Sequence, residues 1–274
     1  MDKKGFISSS LLYGILALFL ILMLSTLAIL GNRKLSMDKL KEHALTTVET
    51  GYASSGNILA IYDGFQKPTD NNWPDQSGNG YNALLYNLSE TDHSLDHLNI
   101  NSNSYIDTGF SQGVLGQNIT LSTVMKITHL SEGQGLWGYY DENQAGLMAE
   151  AIKIGNNLAV KFCYYGTDKN QVCTNINADQ LLNKKIQITV VIQGSQGIYL
   201  YINGISRDSE TNTSSFSPKT DYSFVIGQAS GGANHSFTGE LYNFVIYKGA
   251  LNEEEILQNY EVDNEKYSLD YISS

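Results

Sequence analysis

Ser236-Phe237-Thr238-Gly239-Glu240-Leu241-Tyr242-Asn243-Phe244-Val245-Ile246-Tyr247, followed by Lys248-Gly249-Ala250-Leu251-Asn252, reads as a strand, a tight turn and the start of a short helix. Leu241, Asn243, Val245 and Tyr247 alternate with Tyr242, Phe244 and Ile246, and both sets are largely apolar. A strand apolar on both faces is covered on both faces. Asn252 stands where a helix N-cap belongs, with Glu253, Glu254 and Glu255 in the first turn, where the helix dipole favours negative charge. Glu255 at the third position suits a capping box. Ile256, Leu257 and Tyr260 supply an apolar stripe at helical spacing.

Working outward, Trp73-Pro74-Asp75-Gln76-Ser77-Gly78-Asn79-Gly80-Tyr81-Asn82-Ala83 forms a turn-rich loop far upstream. Tyr105-Ile106-Asp107-Thr108-Gly109, Ile119-Thr120-Leu121-Ser122 and Ile198-Tyr199-Leu200-Tyr201-Ile202-Asn203-Gly204 lie between it and the opening stretch. In this order the pieces resemble the laminin-G-like, concanavalin A-like jelly-roll domains, with the loop at 75–83 similar to their "D-x-S-G-N-G-x-x-A" segment. The resemblance spans about 200 residues, the size of one domain. It implies an all-β sandwich and leaves function open, because one architecture hosts binders, enzymes and spacers alike.

Composition narrows the classes. The chain has 274 residues, enough for one large β domain, with 16% charged residues and a formal net charge of −11. No basic patch exists to neutralise phosphates, so nucleic acid is not an expected partner. The 18 Tyr and 25 Gly against 3 Pro suit a turn-rich β domain of extracellular type.

The N-terminus is expected to be a membrane segment. Lys3 and Lys4 precede Gly5, and residues 6–30 run almost without charge; Leu11 to Leu30 as a helix is roughly 30 Å long, enough to span a bilayer. Lys3-Lys4-Gly5-Phe6-Ile7 resembles a type IV prepilin signal, which implies cleavage after Gly5 and a methylated Phe6 as the mature first residue. Ser10 stands where pilins carry a Glu. A plain anchor and a cleaved secretory signal are the alternatives. Asn32 to Thr50 continues as an amphipathic helix through Met37, Leu40, Ala44 and Val48. The expected organisation is therefore a leader and transmembrane helix over 1–31, a helical stalk and linker over 32–56, the jelly roll over 57–262, and a loose polar tail over 263–274.

From Ile58 onward, short apolar runs separated by Gly, Asn, Asp and Ser clusters predict strands. They are Ile58–Tyr62, Ile119–Ile127, Leu147–Ile154, Leu158–Tyr165, Val172–Ile176, Ile186–Ile192, Ile198–Ile202, Tyr222–Ile226 and Leu241–Tyr247. Ile119, Leu121, Thr123, Met125 and Ile127 alternate as in a half-buried strand.

Candidate chemistry is sparse. The resemblance implies calcium as a cofactor, held at the sandwich edge by Asp75 and Asn79, oxygen ligands that suit a hard cation. Tyr242 and Asn243 replace the acidic residue this family commonly places in its last strand, so turn capping by Asp75 and Asn79 is the preferred reading. His93 and His97 are four apart but fall in a predicted loop without a zincin Glu, and read as two solvated histidines. Cys163 and Cys173 flank Gly166-Thr167-Asp168-Lys169-Asn170, a turn by composition; a hairpin folded at Asp168 sets them opposite each other, within reach of a disulfide. No paired carboxylates, nucleophile elbow or phosphate loop is present, so no catalytic residue is expected. The expected protein is a membrane-anchored, extracytoplasmic adhesion or recognition protein with a glycan- or protein-binding head, which the leader's resemblance makes a minor pilin-like subunit with pilin-like subunits as partners. The rivals are a filament subunit without a ligand and a carbohydrate-active enzyme of the same fold.

Overall fold

The computed structural model describes residues 51–129, 134–141, 145–154, 157–165, 171–177, 181–211, 223–228 and 237–272. The apolar segment at 6–30, the stalk at 32–50 and the processing residues Gly5 and Phe6 lie outside the described residues. Among the described residues no helix is long and apolar enough to cross a membrane.

Two antiparallel sheets face each other. The strands are β1 (Ile58–Asp63), β2 (Asn72–Trp73), β3 (Ala83–Tyr86), β4 (Leu98–Ile100), β5 (Tyr105–Ser111), β6 (Asn118–His129), β7 (Gln134–Asp141), β8 (Ala145–Ile154), β9 (Asn157–Tyr165) and β10 (Gln171–Asn177). They continue with β11 (Lys185–Gln193), β12 (Gly197–Ile202), β13 (Ile205–Thr211), β14 (Ser223–Ile226) and β15 (Thr238–Lys248). A short helix α1 (Gln112–Leu115) follows β5, and α2 (Glu253–Tyr267) follows β15. One sheet runs β1-β15-β6-β11-β12-β13, with β4 also on β15; the other runs β10-β9-β8-β7-β14-β5-β3-β2. Every strand anticipated from the sequence lies in one of these sheets, the one over 222–226 through its described residues Ser223–Ile226. The strands outside the predicted runs, β2, β3, β4, β5, β7 and β13, are added by pairing.

The opening stretch is central to the first sheet. Phe244 and Ile246 enter the sandwich core, whereas Val245 and Tyr247 belong to a second cluster with Tyr52, Ile61, Val191, Tyr201, Leu251 and Ile256. Both faces of β15 are covered, as its composition requires. The simple alternation fails at one place. The register of β15 on β6 shifts between Leu241 and Asn243, where the neighbour on the other side changes from β4 to β1. The bulge puts Leu241 on the core side with Phe244, while Tyr242 packs its ring against His97 and Tyr267 outside that core. Gly239 is needed for close approach: a Cβ there would lie 2.1 Å from the Lys126 carbonyl oxygen.

Three expectations are corrected. β6 is not half-buried: Thr120, Ser122 and Val124, on the face away from the core, are as buried as Leu121 and Met125, because further structure covers that face. In α2 the capping box forms, with Glu255 N donating to Asn252 Oδ1 at 3.0 Å and Asn252 N to Glu255 Oε2 at 2.9 Å. Its buried residues, however, are Ile256, Asn259, Val262, Asp263, Lys266 and Tyr267, while Leu257 is 47% exposed. Third, the 263–274 segment is not a loose tail where it is described, nor is the start of the domain a linker. Asp270 N and Oδ2 bond to Lys185 O and N, and Ile272 enters the sandwich core. Ala53 N donates to Asn259 Oδ1, and Gln258 Nε2 to the Gly51 carbonyl, so Gly51–Ser54 is part of the body.

Candidate functional site

The face of the second sheet turned away from the core carries an exposed tyrosine, Tyr86, stacked on a half-buried one, Tyr105. Ala83 and Leu85 of β3 are buried in the core, so Leu84 and Tyr86 point outward, at 45% and 39% exposure. β5 alternates in the same way: Ile106 is buried, and Tyr105 and Asp107 are half-buried. Register pairs Tyr86 with Tyr105 and Leu84 with Asp107, and Asp107 in turn with Val225 of β14. The Tyr86 and Tyr105 rings stack at 4.6 Å with 6° between their planes. Burial, with the charge on Asp107 and the neighbouring Tyr86 phenol, pushes the Tyr105 phenol up.

Two loops hold this aromatic pair from one end. Asn87 adopts φ +53° and donates from Nδ2 to the Asn103 carbonyl at 2.8 Å, while Ser104 Oγ donates to the Asn87 carbonyl at 2.9 Å. Exposed Asn101 and Asn103 flank the rings there. Asp107 Oδ1 accepts from Gly109 N at 2.8 Å, and no other hydrogen bond to its carboxylate is found among the described residues. The resulting surface combines aromatic rings, a carboxylate and side-chain amides on a rigid sheet. Aromatic faces take C–H surfaces, and carboxylates and amides take hydroxyls. The sequence carried a faint signal of it: Ala83-Leu84-Leu85-Tyr86 has the inward–outward alternation, but four apolar residues in a row conceal which ones face outward.

The anticipated site residues are found elsewhere. Asp75 and Asn79 share the loop beside β1. Asp75 Oδ1 accepts from Ile61 N at 3.0 Å and Ser77 N at 2.8 Å, and Oδ2 from Ser77 Oγ at 2.7 Å and Tyr81 N at 3.1 Å. Asn79 Nδ2 donates to the Ile58 and Leu59 carbonyls, at 3.0 and 3.1 Å. Gly78 and Gly80 hold φ of +85° and +79°, conformations that open the loop to this pattern. Both residues therefore brace the loop against β1. His93 and His97 do sit in a loop, yet neither is simply solvated. His93 Nε2 meets the Gly64 carbonyl at 2.7 Å, and His97 Nδ1 meets Asp96 Oδ1 at 2.8 Å with its ring 5.0 Å from that of Tyr242. Cys163 and Cys173 occupy directly opposed positions of β9 and β10. Their cross-strand row continues through Met148, Gly138 and Val225 to Asp107 and Leu84.

A second group of polar residues, which sequence reasoning missed, lies under α2. Asp263 Oδ1 accepts from Tyr52 OH at 2.5 Å and Asn243 Nδ2 at 2.8 Å, and Oδ2 from Gln187 Nε2 at 2.8 Å. Burial pushes Asp263 up to about 6, against the hydrogen bonds and the Lys266 charge that pull it down. Beside it, Lys266 pairs with Asp63, both side chains fully buried. The signal was present in spacing: Asn259, Asp263 and Lys266 follow Ile256 on one helical face.

These features define an antiparallel jelly-roll sandwich with an outward aromatic face. A family model described as the concanavalin A-like lectin/glucanases superfamily matches residues 101–257, more than half of the chain, and the protein belongs to that family. Comparison with curated protein sequences finds no match. Among solved structures, the binding domain of botulinum neurotoxin serotype D is similar at a TM-score of 0.56 and 18% identity, covering 76% of this chain and 52% of that one. The binding domain of Paraclostridial Mosquitocidal Protein 1 gives 0.56 and 19%, covering 75% and 52%. This chain thus spans about half the length of those toxin domains. Domain 4 of AbnA, an extracellular arabinanase from Geobacillus stearothermophilus solved with arabinotriose, gives 0.51 and 16%, covering 73% of this chain and 97% of that domain. At these identities the likeness concerns the fold.

Proposed function

We propose that this protein is a recognition or adhesion protein whose jelly-roll head binds glycans through the outward face of β3 and β5. The observation that carries the reading is the stacked, solvent-facing Tyr86–Tyr105 pair beside Asp107. A rigid aromatic surface with a neighbouring carboxylate suits the alternating C–H and hydroxyl faces of a sugar ring. The similar arabinanase domain, solved with a trisaccharide, supports a saccharide as the ligand class. The similar toxin domains support a role in binding rather than catalysis, and we propose no enzymatic activity.

The head is carried, in this proposal, outside the membrane on the apolar N-terminal segment, with pilin-like processing between Gly5 and Phe6. Mass analysis of the mature N-terminus from membranes tests this: an intact Met1, or a start beyond Leu30, rules the processing out. Oxidation of Cys163 and Cys173 belongs to the same extracytoplasmic reading. Both thiols are expected to resist labelling in the denatured protein until reductant is added, and labelling without reductant removes the bridge.

A glycan array probed with the whole chain tests the binding. At least one saccharide class is expected to bind, and Tyr86→Ala or Tyr105→Ala to weaken it by about tenfold, the upper range for an aromatic contact. Retained binding in both variants moves the site elsewhere. An array without ligands leaves the structural-subunit reading.

A further inference from the structure

The most unusual chemistry on the described chain is the meeting of its first strand with its last helix. Lys266 on α2 and Asp63 at the end of β1 are joined side chain to side chain with no exposure of either. Asp63 Oδ2 is the atom facing Lys266 Nζ. Asp63 Oδ1 is held separately, accepting from Phe65 N at 3.0 Å and Tyr267 OH at 3.0 Å. The surroundings are aromatic: the Lys266 nitrogen lies 5.7 Å from the centre of the Phe65 ring and 5.2 Å from that of Tyr267.

An ammonium brings three donors into such a compartment. Asp63 is the one acceptor that Lys266 Nζ has among the described residues, so an ion pair leaves donors to the ring faces alone, in a place where ionic groups are costly to keep dry. The same compartment disfavours charge on the neighbouring Asp263, which burial holds at about 6. The two carboxylate oxygens of Asp63 are also unequal. Oδ1 sits between a backbone N–H and a phenol O–H, the arrangement that polarises a carbonyl and stabilises negative charge developing on it. Among the described residues, Oδ2 has no hydrogen-bond partner but Lys266.

We propose that Lys266 and Asp63 condense to an intramolecular amide, Lys266 Nζ to Asp63 Cγ, cross-linking β1 to α2. A proton passing from Nζ to Oδ2 converts the ion pair to an amine facing a carboxylic acid. The nitrogen lone pair then attacks Cγ, and Oδ1 takes up the displaced π electrons under the donors Phe65 N and Tyr267 OH. When the Cγ–Oδ1 double bond re-forms, the Cγ–Oδ2 bond breaks and Oδ2 leaves as water, carrying the proton it received and a second one from nitrogen. One C–N bond replaces one C–O bond, one water is released, and no oxidant or co-reactant is consumed. Oδ1 remains as the amide carbonyl with its two donors unchanged, and the nitrogen keeps one N–H instead of three. The bond closes a ring over a sequence separation of 203, and fastens the entry of the domain to its final helix.

Tryptic peptide mapping of the purified full chain, digested after denaturation, decides the matter, because trypsin does not cleave after an acylated lysine. The expected product is a branched peptide that joins the Asp63 and Lys266 segments, one water lighter than their sum. In a Lys266→Met chain the Asp63 peptide is expected to be linear, at its full mass, whether or not that variant folds. Linear peptides ending at Lys266 as the sole products from the folded wild-type protein overturn the proposal.

Discussion

The two faces of β15 are assembled on different principles. On one, Leu241, Phe244 and Ile246 join a core of Trp137, Phe224, Leu98 and Ile100, with the Phe244 ring edge-on to Trp137 at 5.6 Å. On the other, Asn243 stands between Tyr52 and Asp263 and also accepts from Val124 N at 2.6 Å through Oδ1. Apolar contact is non-directional, so the first face depends on filled volume. A buried polar network is worth having only when its members are all satisfied. The helix side of the sheet is therefore the more demanding half of the molecule, although α2 looks in sequence like an ordinary surface helix.

The largest effects should come from emptying either face. Phe244→Ala is expected to cost about 3–5 kcal/mol through a cavity. Lys266→Met is expected to cost at least a similar amount, about 3–5 kcal/mol, because it removes the proposed link to α2 and leaves the Asp63 carboxylate buried without its partner. Denaturant unfolding distinguishes the two mechanisms when Asp63→Leu is added to Lys266→Met: the double variant should recover part of the loss. If it is less stable than Lys266→Met alone, the helix side is not governed by polar satisfaction.

The next effect is pH dependence, which belongs to the polar side. Asp263 is raised from 3.8 to about 6, so between these values the folded protein keeps a proton that the unfolded chain releases. Its contribution is full below pH 4 and is lost as pH rises through 6, of order 3 kcal/mol across the window. Asp96 and Glu240 act in the opposite sense. Burial alone would raise both, but His97 and Lys185 around Asp96, and Tyr242 and Lys126 around Glu240, hold them below the usual range. Their stabilisation is lost as pH falls into the acid range. Asp263→Asn should flatten the stability profile between pH 4 and 6 and leave the acid limb in place; an unchanged profile there would mean Asp263 does not titrate in that window.

Smaller still, Asn252→Ala should cost about 1 kcal/mol by removing the cap of α2, with the thermal midpoint as the readout. Calcium should have the least effect. Asp75 spends both oxygens on loop donors, so chelator and millimolar calcium should give the same midpoint. A rise with calcium that disappears in Asp75→Ala would make the loop a metal site after all.

Much of this architecture is legible in the amino-acid sequence. The strand over 241–247, the capped helix after it and the brace at Asp75 follow from local chemistry: alternation, a side-chain cap and glycines at positive φ. The strand β3 was not legible, because Ala83-Leu84-Leu85-Tyr86 offers no polar residue to mark its outer face. The aromatic pair was hidden for the same reason, since Tyr86 and Tyr105 meet only through the register of β3 on β5. Of the predicted stripe, Ile256 is buried, Tyr260 is half-buried and Leu257 is 47% exposed, because apolar character alone does not mark the buried face of α2. That face instead carries Asn259, Asp263 and Lys266, whose burial is tolerable only because Tyr247, Tyr52, Gln187, Asn243 and Asp63 arrive to meet them.

Local preference thus belongs to the sequence alone: which residues extend, which cap, and that β15 must be covered on both sides. Partnership belongs to the tertiary structure. Asp63 and Lys266 are unremarkable charges along the chain, and they become a buried pair because the first strand and the last helix close over the same sheet. A contact between groups this far apart in sequence has its energy set by what else is excluded from the space between them, and no periodicity in the chain records that.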